Sequence, residues 1–540
     1  MLRFLNGESK SIVGAAAIVG GFSFASRILG LVRDRILLGR FGASDVLDAY
    51  YAAFRLPDLL FGLLVVGSLS ACFIPIFTKY YHSLMQRERA WTFTNNTLNV
   101  LATVMAGACL LLFVFSRPLS SLIAPGFEPA KQDMVAHMTR VMLLAQFLLA
   151  VSVIFGSVLQ GLRRFLIFSL APIFYNIGII VGALVLVSPF GPMGLAWGVV
   201  LGAFLHLLVQ TLGVVSAGYR WMPVHRWKDP DTREMVRLTG PRMLGIAVSQ
   251  INFVILTIVA TTLAAGSVTI FQVAYNIQFL AVGIFGVSYA IAVFPQFSQE
   301  IERHDEQGFV RTFSRTVRQV LYFMIPMSVI FLVLRAQIVR VVAGAGLFDW
   351  KSTVLAADTL AFFTFSFVVQ SLAYVLSRAF FALRDTVTPL VAGIVSTLLS
   401  FIAALWFTHC FGVVGLSIAF SIAAIVNLAL LWVPLRQRVG SLDEGRILRA
   451  LFTMSAAGLG CAVVTQALKP IMTSLIALDT FAGVLAQGLV SGGLGLCVYM
   501  AISRLFHSEE QSEILSGLRR RILRSAAPSE PIMPDASAAN

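Results

Sequence analysis

The stretch that decides the fold is SRILGLVRDRILLGRFGASDVLDAYYAAFRLPDLLFGLLVVGSLSACFIP, residues 26–75. It is apolar enough to lie in a membrane, yet it contains nine charged side chains. These are Arg27, Arg33, Asp34, Arg35, Arg40, Asp45, Asp48, Arg55 and Asp58. A charged side chain at the centre of a bilayer costs about 2.5–3.5 kcal/mol on insertion scales, so such residues normally face a bundle interior or a water-filled space. The pattern therefore predicts a polar chamber inside a membrane-embedded bundle.

The composition of the whole chain is typical of a membrane protein. Of its 540 residues, 58% are hydrophobic and 12% are charged, whereas about 25% of the residues of a soluble domain are charged. Apolar runs of roughly 20 residues, the length that crosses a hydrocarbon core, recur along the chain. The net charge of +14 then indicates basic loops on the cytoplasmic side and attraction to anionic lipid, rather than nucleic-acid binding. We predict an all-α polytopic membrane protein.

Fourteen transmembrane helices are predicted. Their limits are 12–38, 48–80, 92–115, 134–161, 166–188, 193–217, 236–264, 268–299, 313–335, 353–382, 387–408, 412–434, 447–468 and 481–504. Lys and Arg concentrate in the connections after even-numbered spans, so both termini are predicted to be cytoplasmic. Arg3 and Lys10 precede the first apolar run, which lacks a clean cleavage site, and we therefore expect a retained span instead of a signal peptide.

An internal repeat divides the chain. Phe190-Gly191-x-x-Gly194-Leu195 recurs as Phe411-Gly412-x-x-Gly415-Leu416, and Leu162-Arg163 recurs as Leu383-Arg384. Parallel repeats of this kind pack as two lobes with the substrate between them. The predicted boundaries are 1–218 for an N-lobe, 219–235 for a cytoplasmic interfacial linker, 236–440 for a C-lobe, 441–506 for spans 13 and 14, and 507–540 for an amphipathic segment and a disordered tail.

Motifs of catalysis are missing from the sequence. It has no GxxxxGK[ST] phosphate loop, no HExxH and no paired-cysteine metal spacing. The five cysteines all lie in apolar runs, and the seven histidines are scattered. We therefore predict a protein that binds and moves a ligand, with no enzyme activity, no metal and no cofactor.

The arginines of the first two spans indicate an anionic ligand. The guanidinium group of Arg27, Arg33 or Arg55 offers a fixed fork of donors that suits carboxylate or phosphate oxygens. A surplus of arginine over aspartate in the chamber would select anions, while Asp48 would fix one arginine or exchange partners during movement. The alternative interpretation is a structural ion pair, for example with Asp34 or Asp48.

The second lobe has fewer charges in its spans. Span 8 offers Gln272, Asn276 and Gln278, which are polar but neutral. Arg242 opens span 7 and Arg378 lies late in span 10, where each either snorkels to the interface or contacts substrate. We expect the N-lobe to hold a charged head group and the C-lobe to shelter an acyl chain.

Several of these motifs carry a family resemblance. They are Ser26-Arg27-Ile-Leu-Gly-Leu-Val-Arg33-Asp34, Phe41-Gly42-Ala43, Asp48 to Leu60 with Arg55-Leu56-Pro57, and Gly67 to Pro75. Later stretches agree, namely Gly240-Pro241, Gly266-Ser267-Val268, Phe294-Pro295 and Arg378 to Pro389 with Arg384-Asp385. Together they resemble the MurJ (MviN) family of lipid II flippases.

This resemblance implies the fold of the multidrug/oligosaccharidyl-lipid/polysaccharide exporter superfamily, with two six-helix lobes in a V and two extra helices that form a groove for a polyprenyl tail. It implies export of the undecaprenyl-diphosphate-linked peptidoglycan precursor by alternating access without ATP. The charged cavity residues of the family correspond to Arg27, Arg33 and Asp48. The sequence departs from the family at Phe61 and Asn276, where many members carry arginine, and Arg55 or Arg242 would then compensate.

The resulting hypothesis is a lipid II flippase of the bacterial inner membrane, driven by the membrane potential or by a monovalent ion. Candidate substrate-binding residues are Arg27, Arg33, Asp48, Arg55, Asn276 and Arg242, and candidate gating or salt-bridge residues are Asp34, Ser26 and Pro57. Expected partners are lipid II or a related polyprenyl-diphosphate lipid, membrane lipids and cell-wall synthesis proteins. The alternatives are a flippase for another polyprenyl-diphosphate-linked glycan, an ion-coupled small-molecule exporter of the same superfamily, and a scaffold whose cavity charges pair fully with one another.

Overall fold

The computed structural model of the chain describes residues 12–66, 69–83, 85–514 and 516, and the regular structure in these ranges is helical throughout. This confirms the predicted all-α class. Eleven helices are long and apolar enough to cross a membrane by length and composition. The predicted number of fourteen is consistent with them and stays a prediction, because the first two spans and span 7 do not meet that criterion.

The first half of the bundle precedes the linker. Its helices are α1 (Ile12–Phe41), α2 (Asp45–Ala53), α3 (Arg55–Phe61), α4 (Leu69–Tyr81), α5 (Arg87–Val114), α6 (Ser116–Ile123), α7 (Pro129–Gly161), α8 (Phe165–Val181), α9 (Val187–Phe190) and α10 (Met193–Val215). The second half follows the linker. Its helices are α11 (Pro230–Thr261), α12 (Ser267–Val282), α13 (Ser288–Glu302), α14 (Glu306–Val333), α15 (Arg335–Ala343), α16 (Trp350–Ala382), α17 (Val387–Phe411), α18 (Val414–Val439), α19 (Glu444–Leu475) and α20 (Phe481–Leu505).

The sequence predicts one span over 48–80 with Pro57 as a candidate kink, and in the structure its helix is interrupted at Phe54. Helix α2 ends at Ala53 and α3 begins at Arg55. The cause is Pro57, which has no N–H to donate to the carbonyl of Ala53 and whose ring would collide with that carbonyl in a continuous helix. Tyr50 and Tyr51 of α2 and Arg55 of α3 line the same cavity, on either side of this interruption.

The two copies of the sequence repeat adopt the same backbone conformation. Gly191 and Gly412 both have φ +56°, and Arg163 and Arg384 have φ of 57° and 59°. Positive φ is rare for a residue with a side chain, so its recurrence in the two copies indicates one turn used twice. The lobe boundaries predicted from the repeat stay predictions.

Glycines bring α8 and α10 into direct backbone contact. A Cβ atom added to Gly178 would collide with the backbone of Gly202, and one added to Gly182 would collide with the backbone of Gly198. Small residues at this spacing let helices pack closely in lipid, where no hydrophobic effect drives them together. The first half is therefore a tightly joined unit on this side.

The linker is held by three asparagines of α5. The side chain of Asn95 donates to the carbonyl of Arg220 (3.0 Å), and that of Asn96 donates to the carbonyl of Arg226 (3.0 Å). Asn99 donates to the carbonyls of Met222 (2.8 Å) and Val224 (2.9 Å). The irregular backbone thus has partners on the protein itself, as buried polar groups require.

The second half begins earlier than predicted. Helix α11 starts at Pro230 instead of residue 236, because the Asp229 side chain caps it by accepting from the backbone N–H of Thr232 (3.0 Å). An N-cap aspartate followed by proline is a favoured helix start. Gly240-Pro241, expected to open the span, therefore lies within the helix.

The chain after α20 lies against α14. Residues 509–514 are helical, and Arg315 pairs with Glu513 (2.8 Å) while Arg318 pairs with Glu509 (3.1 Å) and with Glu510. Of the amphipathic segment and tail predicted over 507–540, residues 507–514 and 516 are described, and the rest lies outside the described residues.

Candidate functional site

A polar cavity of about 220 Å³ lies between the two halves. The first half contributes α1, α2, α3 and α8, and the second half contributes α12. The lining residues are Arg33, Asp34, Leu37, Tyr50, Tyr51, Phe54, Arg55, Asp58, Tyr175, Ile179, Gln272 and Asn276. The sequence predicts Arg33, Arg55, Asp34 and Asn276 for such a chamber, and the structure brings these four together.

A chain of hydrogen bonds crosses the cavity from one half to the other. Arg33 donates from Nε (2.9 Å) and Nη2 (2.7 Å) to one oxygen of Asp34. The other oxygen of Asp34 accepts from the Asn276 amide (3.3 Å), whose own oxygen accepts from Gln272 (2.7 Å). Gln272 in turn accepts from Nη2 of Arg55 (2.6 Å). Two arginines of the first half are thereby connected through two amides of α12.

Arg55 reaches across to the second half with neutral partners. Its Nε donates to the Thr257 hydroxyl (2.8 Å), and its guanidinium carbon lies 4.2 Å above the centre of the Phe253 ring. The residue is 6% exposed, and within the part of the chain that the structure describes no carboxylate lies within ion-pair distance of it. The groups in direct contact with this buried arginine are therefore a hydroxyl, an amide and a ring, all of them uncharged.

The charges that line the cavity balance, contrary to the predicted surplus of arginine. Arg33 and Arg55 face Asp34 and Asp58, so the formal charges of the lining cancel. Asp58, which the sequence analysis did not select, accepts a hydrogen bond from the Gln146 amide (3.1 Å). The surplus of positive charge at the interface therefore depends on Arg27.

Arg27 lies on α1, outside the lining of this cavity. Its side chain is exposed, and its Nη1 atom lies 3.9 Å from the position that a Cβ on Gly283 would occupy. Gly283 begins a π-helical turn of the second half, Gly283–Val287, so Arg27 faces the gap between the halves. Among the described residues it has no hydrogen-bonding or ion-pair partner.

Ser26 and Arg33 share one partner on α8. The Asn176 amide donates to the carbonyl and to the hydroxyl of Ser26 (3.3 Å each), while its oxygen accepts from Arg33 Nη1 (3.0 Å). Asn176 thus fixes the orientation of Arg33 and ties α1 to α8. This role is one of positioning within the first half.

Asp48 is not part of the cavity. It is 1% exposed, and its oxygens accept from the backbone N–H of Gly266 (2.7 Å) and from the N–H (2.9 Å) and hydroxyl (2.7 Å) of Thr269, at the start of α12. Lys131 of α7 donates to it as well (3.2 Å). The structure does not bring Asp48 together with Arg27 or Arg33. We name the end of the bundle where these groups meet the Asp48 end, and the opposite one the linker end.

The Asp48 end is closed by further contacts between the halves. Arg35 of α1 donates to the carbonyls of Val341 (2.6 Å) and Gly344 (3.0 Å) at the end of α15. The backbone N–H of Leu347 donates to the carbonyl of Gly39 (2.8 Å). A Cβ on Gly126 would collide with the end of α11. This end of the bundle is therefore sealed largely by main chain.

The remaining candidate residues have other positions. Pro57 is buried and sets the start of α3, whereas the side chain of Arg242 lies outside the described residues. At the family departure after Leu60, a Cβ on Gly62 would lie 2.8 Å from the amide nitrogen of Gln250 on α11. A longer side chain at this position would therefore displace the Gln250 side chain.

Thr257, Asn176, Asp58 and Gln146 were not selected from the sequence. Asp58 had a signal, since it is a carboxylate three residues after Arg55 in an apolar run. Thr257, Asn176 and Gln146 are of residue types that commonly occur in helix packing, so the sequence contained no signal for them. No cluster of metal-ligating side chains occurs among the described residues.

Comparisons with known proteins agree with this architecture. A family model described as "Lipid II flippase MurJ" matches residues 39–514. The "Probable lipid II flippase MurJ" of Vibrio cholerae serotype O1 is 28% identical over 540 residues, which cover 96% of this chain and 98% of that protein. The protein of the same name from Rhizobium tropici is 26% identical over 95% of this chain and 97% of its own length.

Solved structures with the same fold include transporters of more than one kind. "Lipid II flippase MurJ, inward closed conformation" superposes with a TM-score of 0.73 at 23% identity, over 91% of this chain and 98% of that chain. An inward-facing multidrug resistance MATE family transporter of the MOP superfamily superposes with a TM-score of 0.64 at 15% identity, over 78% of this chain and 96% of that chain. At these identities the likeness is one of fold.

Proposed function

The chain belongs to the MurJ family of lipid II flippases, and from this premise we propose that it moves lipid II from the inner to the outer leaflet of the bacterial inner membrane by alternating access. The observation that carries the proposal is the pair Arg27 and Arg55. Each guanidinium group faces the other half of the bundle, and neither has a carboxylate within ion-pair distance among the described residues. A lipid diphosphate would supply the missing negative charge.

Entry of the head group requires the halves to separate. The cavity of about 220 Å³ is smaller than the roughly 300–1,000 Å³ of typical ligand sites. Since the Asp48 end is sealed, the head group enters from the linker end, where Arg27 is exposed. With the basic loops of the even-numbered connections cytoplasmic, the linker end faces the cytoplasm, and both termini lie on that side.

Substrate oxygens would then replace the neutral partners of Arg55. A phosphate oxygen forms a charge-assisted hydrogen bond, about twice as strong as one to a neutral acceptor, so it competes well against Thr257 and Gln272. Loss of those two contacts removes part of what holds α3 to the second half. Release of the head group on the other side further requires the hydrogen bonds from Gly266 and Thr269 to Asp48 to break.

During transport the polyprenyl tail remains in lipid along α19 and α20. The membrane potential supplies enough free energy to move the anionic head group across the membrane. Moving one elementary charge through 100 mV is worth about 2.3 kcal/mol, and an anion leaves a negative interior downhill. Coupling to a monovalent ion is the alternative drive. Neither needs a cofactor.

Binding of lipid II to the purified protein in nanodiscs tests the proposal. We expect Arg27→Ala and Arg55→Ala to weaken binding at least about tenfold, because each removes a charged partner of a diphosphate. Arg40→Ala is the matched control, because Arg40 is an exposed arginine of the same α1 that donates to the carbonyl of Leu184. Unchanged affinity in both Arg27→Ala and Arg55→Ala would refute the assignment.

A flippase for another polyprenyl-diphosphate lipid is the second candidate. It is favoured by the departures from the family at Phe61 and Asn276, where the arginines that many members carry are missing. The same assay separates the two candidates when lipid II competes against undecaprenyl diphosphate and against a polyprenyl-diphosphate glycan without peptide. Preference for the peptide-free glycan would favour the second candidate.

A further inference from the structure

We propose that the cavity takes a head group that carries an ammonium group as well as anionic oxygens, and that Asp58 is the partner of the ammonium. The inference rests on the proposed function and specifies its substrate: a polyprenyl-diphosphate lipid whose head group bears a free primary amine. It follows from how the four charges of the lining are partnered.

Two of these charges already neutralise each other. Arg33 donates two hydrogen bonds, of 2.9 and 2.7 Å, to one oxygen of Asp34, so this pair offers a ligand little net charge. Arg55 and Asp58 remain. Arg55 has neutral partners, as described above, and the recorded side-chain partner of Asp58 is the neutral amide of Gln146.

Arg55 and Asp58 could have paired with each other but do not. They stand three residues apart on α3, a spacing that brings side chains together on a helix. Instead Arg55 extends to α11 and α12, whereas Asp58 turns to α7. The two opposite charges lie in one cavity, but contacts to different helices keep them beyond ion-pair distance. A ligand with both signs of charge neutralises both, which an anion alone does not.

The surroundings of Asp58 suit an ammonium donor. Gln146 is 2% exposed, and its side-chain oxygen is a buried acceptor without a hydrogen-bonding partner among the described residues. Its amide nitrogen is already engaged by Asp58 at 3.1 Å. An ammonium has three donors and no acceptor, and here it would find a carboxylate oxygen and, once the cavity widens, the free oxygen of the neighbouring amide. A hydroxyl would satisfy one acceptor and leave the carboxylate charge uncompensated.

The test compares two forms of one lipid. Lipid II with a lysine in its peptide, and the same lipid acetylated on that lysine amine, are titrated against the full-length protein in nanodiscs. We expect the wild type to bind the free amine at least about tenfold more tightly. Asp58→Asn, which keeps the shape and can still accept from Gln146, should bind both forms alike.

The matched control is Asp133→Asn, since Asp133 is an exposed carboxylate at the start of α7 that pairs with Arg117. It should keep the wild-type preference. Equal binding of the two lipids by the wild type, or an undiminished preference in Asp58→Asn, would overturn the inference while the flippase proposal stands. If neither lipid, nor undecaprenyl diphosphate, binds the wild type, both proposals fail.

Discussion

Removing the Asp48 carboxylate should open the Asp48 end of the bundle. In Asp48→Ala, the N–H of Gly266 and the N–H and hydroxyl of Thr269 lose their acceptor, and Lys131 loses a buried counter-ion. Removing one partner from a buried, hydrogen-bonded charged contact costs about 2–5 kcal/mol. Taking about 3 kcal/mol, the balance between closed and open states shifts roughly a hundredfold towards open, since 1.4 kcal/mol is a factor of ten.

The control is built into the same site. Asp45 also pairs with Lys131 (2.6 Å), but its side chain is 62% exposed. Exposed ion pairs contribute about 0–1 kcal/mol, so Asp45→Ala should shift the balance by less than about fivefold. The comparison separates the loss of a buried bridge between the halves from the loss of a charge near Lys131.

Distances between spin labels measure the opening. Labels on cysteines that replace the exposed Leu122 and Trp350 report on the two halves at this end, after the exposed Cys410 and Cys497 have been substituted. We expect longer distances in Asp48→Ala and wild-type distances in Asp45→Ala. Identical distributions in all three proteins, or equal shifts in both variants, would refute the idea that Asp48 bridges the halves.

Three further predictions concern packing, the linker and the turn between α16 and α17. Gly182→Leu should lower the thermal stability measured in detergent, because its side chain would meet the backbone of Gly198, whereas Gly107→Leu, with nothing within 4 Å of the added Cβ, should leave it unchanged. Asn96→Ala should speed hydrogen exchange of the linker amides near Arg226, because the N–H and the carbonyl of Arg226 both bond to Asn96. Unchanged exchange rates would contradict the conclusion that Asn96 holds the linker backbone in place. Burial alone would raise the pKa of Asp385, but hydrogen bonds from Thr388 and Val387 and the charge of Arg438 outweigh it and lower that pKa. This carboxylate therefore stabilises the fold above its unfolded pKa of about 3.9, so Asp385→Asn should lower the melting temperature at pH 7 and the difference should shrink as the pH falls below about 4.

The helices could be predicted because each leaves a strong local signal. An apolar run of about 20 residues has few alternatives to a membrane helix, and the limits of α16 and α20 agree with the predicted 353–382 and 481–504 within three residues. The interruption of span 2 was predicted only as a candidate kink at Pro57. A proline in a span signals a local change but does not tell whether the helix bends or ends.

The site was predictable in its charges but not in its partners. Arg33, Asp34 and Arg55 stand out because charge is costly in a membrane. The sequence does not reveal that Asp48 lies beside Gly266, because that contact depends on how the halves meet. Gln272 contributes by accepting from Arg55, and a lone glutamine in an apolar span gives no hint of its partner.

The asparagines of α5 were a usable signal that the sequence analysis passed over. Asn95, Asn96 and Asn99 fall within five residues near the start of the predicted span 92–115. Buried amides need hydrogen-bonding partners, so such a cluster predicts irregular backbone beside it. The linker is that backbone.

The hydrogen bonds from Asn95, Asn96 and Asn99 to the linker also determine which parts of the molecule move together. Residues 220–226 are bound to α5, and Asp231 at the start of α11 accepts from Tyr80 (2.9 Å) and Arg89 (3.0 Å) of the first half. The first turn of α11 must then travel with α4 and α5, although the far end of that helix leads into α12 of the second half. Any relative rotation of the two halves must therefore bend α11 itself. We expect the bend at Gly240-Pro241, because proline lacks the N–H donor that would complete that turn of the helix.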